Sequence, residues 1–374
     1  MSKPRIKEVA GAGWELAKTW SAAAAFVGGL GLDILTLGRI DDPTNVLLQG
    51  IYLVLAGTIL CLSSVERSEW HYTGIRLRRL AARGLTRYGD FIFHFLMGAL
   101  LSAFTIFYFK SASSLVSGLF LLSLVALLLL NELKSLQQLG PVFKVVLYQL
   151  AVVSYATYVI PLWVGEIRTG LFVSGVVISA CVTAGLVAMM WKLGCELGQL
   201  KRHVMGPAAL VLALFVGLYG FQVLPPIPLS VQFMGVFHGV ERVDGNYHLQ
   251  AESRPWYQPP WADHVYHGRD GEPVYIFTRV FAPRDFSDKV YLRWEHRRES
   301  GGWYTTDRIP LRIIGGRGLG FRGYAYKQNY QPGDWRTYVE TADGREIGRF
   351  AFRIERDVSA EEAGRVRPLK TLIQ

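Results

Sequence analysis

The stretch Gly318-Leu-Gly-Phe-Arg-Gly323 reads G-x-G-x-x-G, the spacing with which backbone amides at a helix N-terminus cradle a pyrophosphate. That chemistry needs a strand before the glycines, a helix after them and an acidic residue about 20 positions on. "PLRII" before the glycines suits a strand, but "FRGYAYKQNY" after them has no helical spacing of apolar residues. The glycines therefore read as a tight turn or bulge that needs positive φ, between two strands. No nucleotide and no other cofactor is expected there.

The other reactive pairings are also incomplete. His264 and His267 have no third ligand at zinc spacing. Lys110 with Ser111, Ser113 and Ser114 can be written as a Ser–Lys nucleophile. A lysine at a membrane edge snorkels, however, and a serine there caps the next helix. Cys61, Cys181 and Cys195 lie in or beside apolar runs, with no metal-type spacing, and none follows residue 230. No metal site is expected. What remains is a set of binding candidates around the glycine turn: Arg317, Arg322, Tyr324, Tyr326, Lys327 and Trp335. Arginines beside aromatic rings suit anionic or sugar ligands. Strand alternation places Arg322, Tyr324 and Tyr326 on one face.

Which elements hold these residues follows from composition. The chain has 374 residues, 51% hydrophobic and 19% charged, which fits a very apolar part joined to an ordinary polar one. The break falls near Pro225-Pro226-Ile-Pro228. Residues 1–230 carry 18 Lys and Arg against 11 Asp and Glu, and residues 231–374 carry 22 against 19. The excess behind a pI near 9.5 thus belongs mostly to the apolar half, which disfavours a basic nucleic-acid-binding face.

A bilayer core takes about 20 apolar residues of helix. Seven runs qualify: 21–38, 46–63, 91–109, 114–131, 143–163, 171–191 and 207–224. The first follows four basic residues without a small-residue cleavage site, so it reads as a retained anchor. With the N-terminus inside, fifteen Lys and Arg fall in inner segments and three (Arg39, Lys110, Arg168) in outer ones. This bias sets orientation, and an odd number of spans places everything after Pro225 outside the cytoplasm. The basic stretch 64–90 reads as an inner loop or an amphipathic surface helix, with Arg76, Arg79, Arg83 and Arg87 at helical spacing, facing either lipid or a partner. Polar groups within the spans are functional suspects. Asp33 heads them. Asp90 and His94 can meet at i, i+4, as a cap with a partnered histidine or as a proton relay. Asn131 and Gln149 can tie helices together.

The second half alternates as strands do. "KVYLRWEHRR" sets Val290, Leu292 and Trp294 against Tyr291, Arg293 and Glu295, and "RFAFRIER" sets Phe350, Phe352 and Ile354 against Arg349, Arg353 and Glu355. Asp343-Gly344 marks a hairpin turn. The expected architecture is a cytoplasmic N-terminus (1–20), a transmembrane helical domain (21–224), a Pro-rich linker (225–235), an all-β, immunoglobulin-like sandwich (236–356) with Trp294 in its core, and a flexible tail (357–374).

"PPIPLS", "FTRVFAP" and the pattern G-G-R-x-x-G-[FY]-R from Gly315 to Arg322 resemble an uncharacterised bacterial family of multi-span membrane proteins with a C-terminal extracytoplasmic domain of unknown function. "GLDILTLGRID" and "HFLMGALLSAFTIFYFKSAS" are similar to its membrane half. The resemblance covers most of residues 20–356. It implies a Gram-negative inner membrane with a periplasmic C-terminal domain, and it implies no activity. The sequence thus points to a polytopic membrane protein that displays a β-sandwich to bind an envelope protein, a glycan or an anionic polymer, by recognition and not turnover. The alternative is a membrane-embedded transporter or lipid-modifying enzyme using Asp33.

Overall fold

The computed structural model describes residues 41–66, 76–111, 118, 121–126, 140–252, 264–269, 271–283, 287–314, 320–357 and 369–374. The chain forms two compact units. One comprises residues 1–107, 121–156 and 176–216, and the other residues 108–120, 157–175 and 217–374.

The first unit is helical. Its helices are α1 (Pro43–Glu66), α2 (Arg76–Ser111), α3 (Pro141–Val164), α4 (Thr169–Lys192) and α5 (Leu197–Gly220), which carries a π-helical turn at Lys201–Met205; the ends of α2 to α5 belong to the second unit. All five helices have a stretch long and apolar enough to cross a membrane. The expected span 21–38, with Asp33, lies outside the described residues, and of 114–131 only Gly118 and residues 121–126 are described, as helix. The basic segment, expected as an inner loop or an amphipathic surface helix, is helical from Arg76 on and continues without a break into the apolar part of α2. The stretch "RLRRLAARGLTRYGD" is rich in the good helix formers Leu, Ala and Arg and has no proline, which offsets the cost of Gly84 and Gly89.

Polar side chains join these helices. Lys144 of α3, almost fully buried, pairs with Asp90 of α2. Gln149 of α3 accepts a hydrogen bond from Thr183 of α4. Tyr155 donates to the Val46 carbonyl of α1 at 3.0 Å. Within an apolar layer such bonds fix helix register, because a lone polar group there has no water to turn to.

The second unit is dominated by eleven described strands: β1 Ser230–Phe237, β2 Gly239–Val243, β3 Asn246–Glu252, β4 His264–Gly268, β5 Val274–Phe281, β6 Ser287–Arg297, β7 Trp303–Ile314, β8 Phe321–Lys327, β9 Gly333–Glu340, β10 Glu346–Arg356 and β11 Leu369–Ile373. They form a five-stranded sheet β4-β10-β9-β6-β7, a three-stranded sheet β1-β5-β8 and a second three-stranded sheet β11-β3-β2. The main core lies between the first two. It takes Val290, Leu292 and Trp294 of β6, Trp335 and Val339 of β9, Phe352 and Ile354 of β10, and Ile276 and Val280 of β5. The alternating residues of β6 and β10 thus point where their period of two sends them.

The middle sheet β1-β5-β8 is buried on its other side too. Phe237 of β1 and Phe277 of β5 pack with Leu249 of β3, so the small sheet covers an aromatic face that would otherwise meet solvent. Two boundaries differ from the sequence reading. β1 begins at Ser230, inside the stretch assigned to a linker. The tail is not loose at its end, since Leu369–Ile373 pairs antiparallel with Glu252–His248. Pairing in β11 depends on β3, far away in sequence, so no local signal announces it.

Two glycines carry the turns that matter here. Gly344 has φ +83° in the β9–β10 hairpin, and Gly320 has φ +82° just before β8. A Cβ on Gly320 would stand 2.8 Å from the Val280 carbonyl oxygen of β5. After Gly320 the chain enters a strand, not a helix.

Candidate functional site

The part of β8 described after the glycine turn, "FRGYAYK", alternates across the middle sheet. Gly323 and Ala325 face the main core, while Tyr324 and Tyr326 are exposed, Tyr326 by 55%. Strand pairing sets Tyr326 opposite Tyr275, Tyr324 opposite Phe277 and Arg322 opposite Arg279 of β5. The rings form a continuous set. Tyr275 lies 5.6 Å from Tyr326 and 6.1 Å from Tyr324, and Tyr247 of β3 lies 6.2 Å from Tyr324, centroid to centroid. Tyr247 also packs on Phe277 at 5.3 Å, so the exposed ledge is rooted in the buried aromatic cluster beneath it. Such rooting fixes side-chain rotamers before any ligand arrives.

Positive charge borders this ledge. The guanidinium carbon of Arg322 lies 5.5 Å, and that of Arg242 6.0 Å, from the centre of the Tyr247 ring. Arg322 donates to the carbonyl oxygens of Gln374 at 2.7 Å and Gly245 at 3.0 Å. Arg279 donates to the Gln374 side-chain oxygen at 3.0 Å. The Nε atoms of Arg279 and Arg322 are buried without a hydrogen-bond partner among the described residues. Two like charges directly opposite on neighbouring strands oppose folding, and the bonds to Gln374 and Gly245 hold both guanidinium groups in place. The rim of the ledge is thus positively charged beside aromatic faces.

The remaining candidates are placed elsewhere. Trp335 is 2% exposed and donates to the Gln331 carbonyl at 2.8 Å within the core. Lys327 pairs with Asp307 of β7 and lies 5.8 Å above the Trp335 ring. Burial would raise the Asp307 carboxyl, but the bonds from Lys327 and Thr306 and the charge of Lys327 together outweigh it and hold the group below its ordinary range. Arg317, Asn131 and Asp33 lie outside the described residues. His94 is buried in α2 with its ring edge-on to Phe93, and Gln149 is the helix tie described above. The sequence reading missed Tyr247, Tyr275, Arg242 and Arg279. The alternation of "VYIFTRVF" marks Tyr275 and Arg279 as facing one side, but only strand pairing brings that side to β8.

A second polar cluster lies where β3, β4 and the ends of β1 and β5 meet. His238 Nε2 is 2.9 Å from Glu252 Oε1, His238 Nδ1 is 3.2 Å from Glu272 Oε1, and His267 Nδ1 is 2.8 Å from Glu252 Oε2. Burial would raise the Glu252 carboxyl, yet the two histidine bonds outweigh it and bring it down to about 2. His264, on the opposite face of β4, stacks against Phe350. The two histidines of "HVYH" therefore diverge, and no metal-holding group of three exists among the described residues.

Residues 287–354, from β6 into β10, match the model of a family described as a protein of unknown function (DUF2914). No curated protein matches the chain. Among solved structures, an immunoglobulin-like protein from Pseudomonas aeruginosa aligns at 11% identity over 34% of this chain and 96% of its own, with a TM-score of 0.20. A β-glucosidase from Listeria innocua in complex with gluconolactone aligns at 8% identity over 33% and 16%, with a TM-score of 0.18. An alkylpurine DNA glycosylase from Pseudomonas fluorescens, bound to DNA containing an abasic site analogue, aligns at 10% identity over 75% and 80%, with a TM-score of 0.22. Scores this low carry no argument about activity. Among the described residues the chain thus has five helices fit to cross a membrane, followed by a β-sandwich whose matched portion is a domain of unknown function.

Proposed function

We propose that this protein is a multi-pass bacterial inner-membrane protein that holds its β-sandwich in the periplasm and binds an anionic glycan of the cell envelope on the ledge formed by Tyr275, Tyr324 and Tyr326. The observation that carries this reading is the juxtaposition of the exposed tyrosines with Arg242, Arg279 and Arg322 along one rim. Aromatic faces pack against the apolar faces of sugar rings, and guanidinium groups pair with carboxylate or phosphate substituents. The fifteen-to-three asymmetry of Lys and Arg supports the sidedness. Recognition and anchoring suffice, and no group in the ledge is arranged as a nucleophile with a base.

The test uses the full chain in nanodiscs, presented with polygalacturonate and with neutral dextran. The charged polymer is expected to bind, with affinity falling as salt rises. Tyr324→Ala with Tyr326→Ala should weaken it by about tenfold or more. Equal binding of dextran, or binding indifferent to the double substitution, contradicts the proposal.

A further inference from the structure

The Asp343-Gly344 hairpin presents Arg345 to a small cavity of about 40 Å³ within the second unit. Arg345 is 6% exposed. Its guanidinium carbon lies 3.3 Å from the centre of the Tyr219 ring, and that ring is stacked on Phe172 at 3.7 Å with 10° between planes. Nε is bound by Asp343 at 2.9 Å, and Nη2 donates to the Tyr219 carbonyl at 3.1 Å. Nη1 is buried and has no partner among the described residues. Three contacts thus lock the guanidinium, and its free edge is left for whatever fills the cavity. The walls include Pro161, Ile227 and Phe172 together with the hydroxyl-bearing Tyr108, Thr157 and Tyr158, and Arg168 lies on the same lining, its side chain 70% exposed and paired with Glu166 at 2.8 Å. The space exceeds the roughly 10–15 Å³ that one water needs and suits a tetrahedral oxyanion.

We infer that this cavity is a phosphate site, in which Arg345 Nη1 and the Arg168 guanidinium hold the oxygens of a phosphate group. Arg345 supplies a pre-oriented donor at Nη1, and Arg168 a second, more exposed cation that keeps its ion pair with Glu166. The lining gathers the ends of four helices, at Tyr108, Pro161, Phe172 and Tyr219. If those helices cross a bilayer, as the proposed function holds, this is the level of lipid headgroups. The phosphate is then that of a phospholipid or is free in solution, and the chemistry at Arg345 is the same for both.

Delipidated full-length protein, titrated with dihexanoyl phosphatidylglycerol, dihexanoylglycerol or inorganic phosphate and read by native mass spectrometry, tests this. The phospholipid or inorganic phosphate should bind at one equivalent in preference to the phosphate-free diglyceride. Arg345→Gln should weaken that binding by about tenfold and Arg168→Gln by severalfold. Arg345→Lys, which keeps the charge beside Asp343 but removes the fork, serves if the glutamine variant does not fold. Binding of phospholipid alone assigns the lipid source. Binding of inorganic phosphate alone assigns the free anion and counts against the membrane placement while leaving the site intact. Equal binding of the diglyceride, or binding unchanged by both Arg168→Gln and Arg345→Lys, shows a water-filled cavity only and overturns the inference. Tyr324→Ala with Tyr326→Ala should leave phosphate binding as it is, which separates this site from the glycan ledge.

Discussion

At the residue scale, the sequence placed side chains well where a single strand decides their direction and poorly where a partner strand does. Arg322, Tyr324 and Tyr326 share a face by alternation alone, and they do so in β8. Trp335 looked equally suited to a surface, because the face of "GDWRTYVE" that turns inward is settled by its pairing with β6 and β10. The Glu252 cluster was invisible for the same reason: His238, Glu252, His267 and Glu272 come from four separate segments with no shared spacing. This cluster makes a prediction about pH. A carboxyl held at about 2 in the folded chain, below its ordinary 4.5, contributes stability that is fully present above about pH 4.5. That contribution is lost as pH falls through 2. Glu252→Gln should therefore be less stable than the parent at pH 7, by about 2 kcal/mol, and the gap should close on acidification between these limits. Thermal unfolding followed by tryptophan fluorescence at pH 7, 4 and 2.5 measures it. A gap that stays constant to pH 2.5 would sink this assignment.

At the element scale, local turn chemistry was the most legible feature. Asp343-Gly344 announced the β9–β10 hairpin, and after Gly320 the chain enters β8 and not the helix that a phosphate loop needs. Gly320 needs both its positive φ and its missing Cβ, since a methyl there would meet the Val280 carbonyl. Gly301, with φ +83° and nothing near its Cβ position, needs only the first. Gly320→Ala should thus cost about 2–3 kcal/mol and Gly301→Ala about 1 kcal/mol, read as denaturation midpoints of the full chain. Equal costs would show that the contact with β5 yields. Less legible were the elements that rely on distant partners. The run-on from the basic segment into α2 was half legible: the arginines showed their helical spacing, but nothing local announced the unbroken join to the apolar stretch. The C-terminal strand β11 was taken for a loose tail because its pairing strand lies more than a hundred residues earlier.

At the scale of the whole molecule, composition alone separated an apolar helical half from a β half, and the structure has five helices fit to cross a membrane followed by three sheets. The immunoglobulin-like expectation captured the sandwich of β4-β10-β9-β6-β7 on β1-β5-β8, and it missed the third sheet that closes the aromatic face. That sheet covers Phe237 and Phe277 and contributes Arg242 and Tyr247 beside the tyrosine ledge. In the proposed function, the distribution of Lys and Arg is what assigns this surface a side of the membrane.

Sidedness is the claim on which the rest depends, and a single accessible cysteine reports it. With Cys61, Cys181 and Cys195 replaced by alanine, Glu299→Cys places a thiol in the exposed β6–β7 turn. A membrane-impermeant maleimide added to cells whose outer membrane alone is permeabilised should label it before the inner membrane is broken. Labelling that appears only after inner-membrane lysis would put the sandwich in the cytosol and contradict the account.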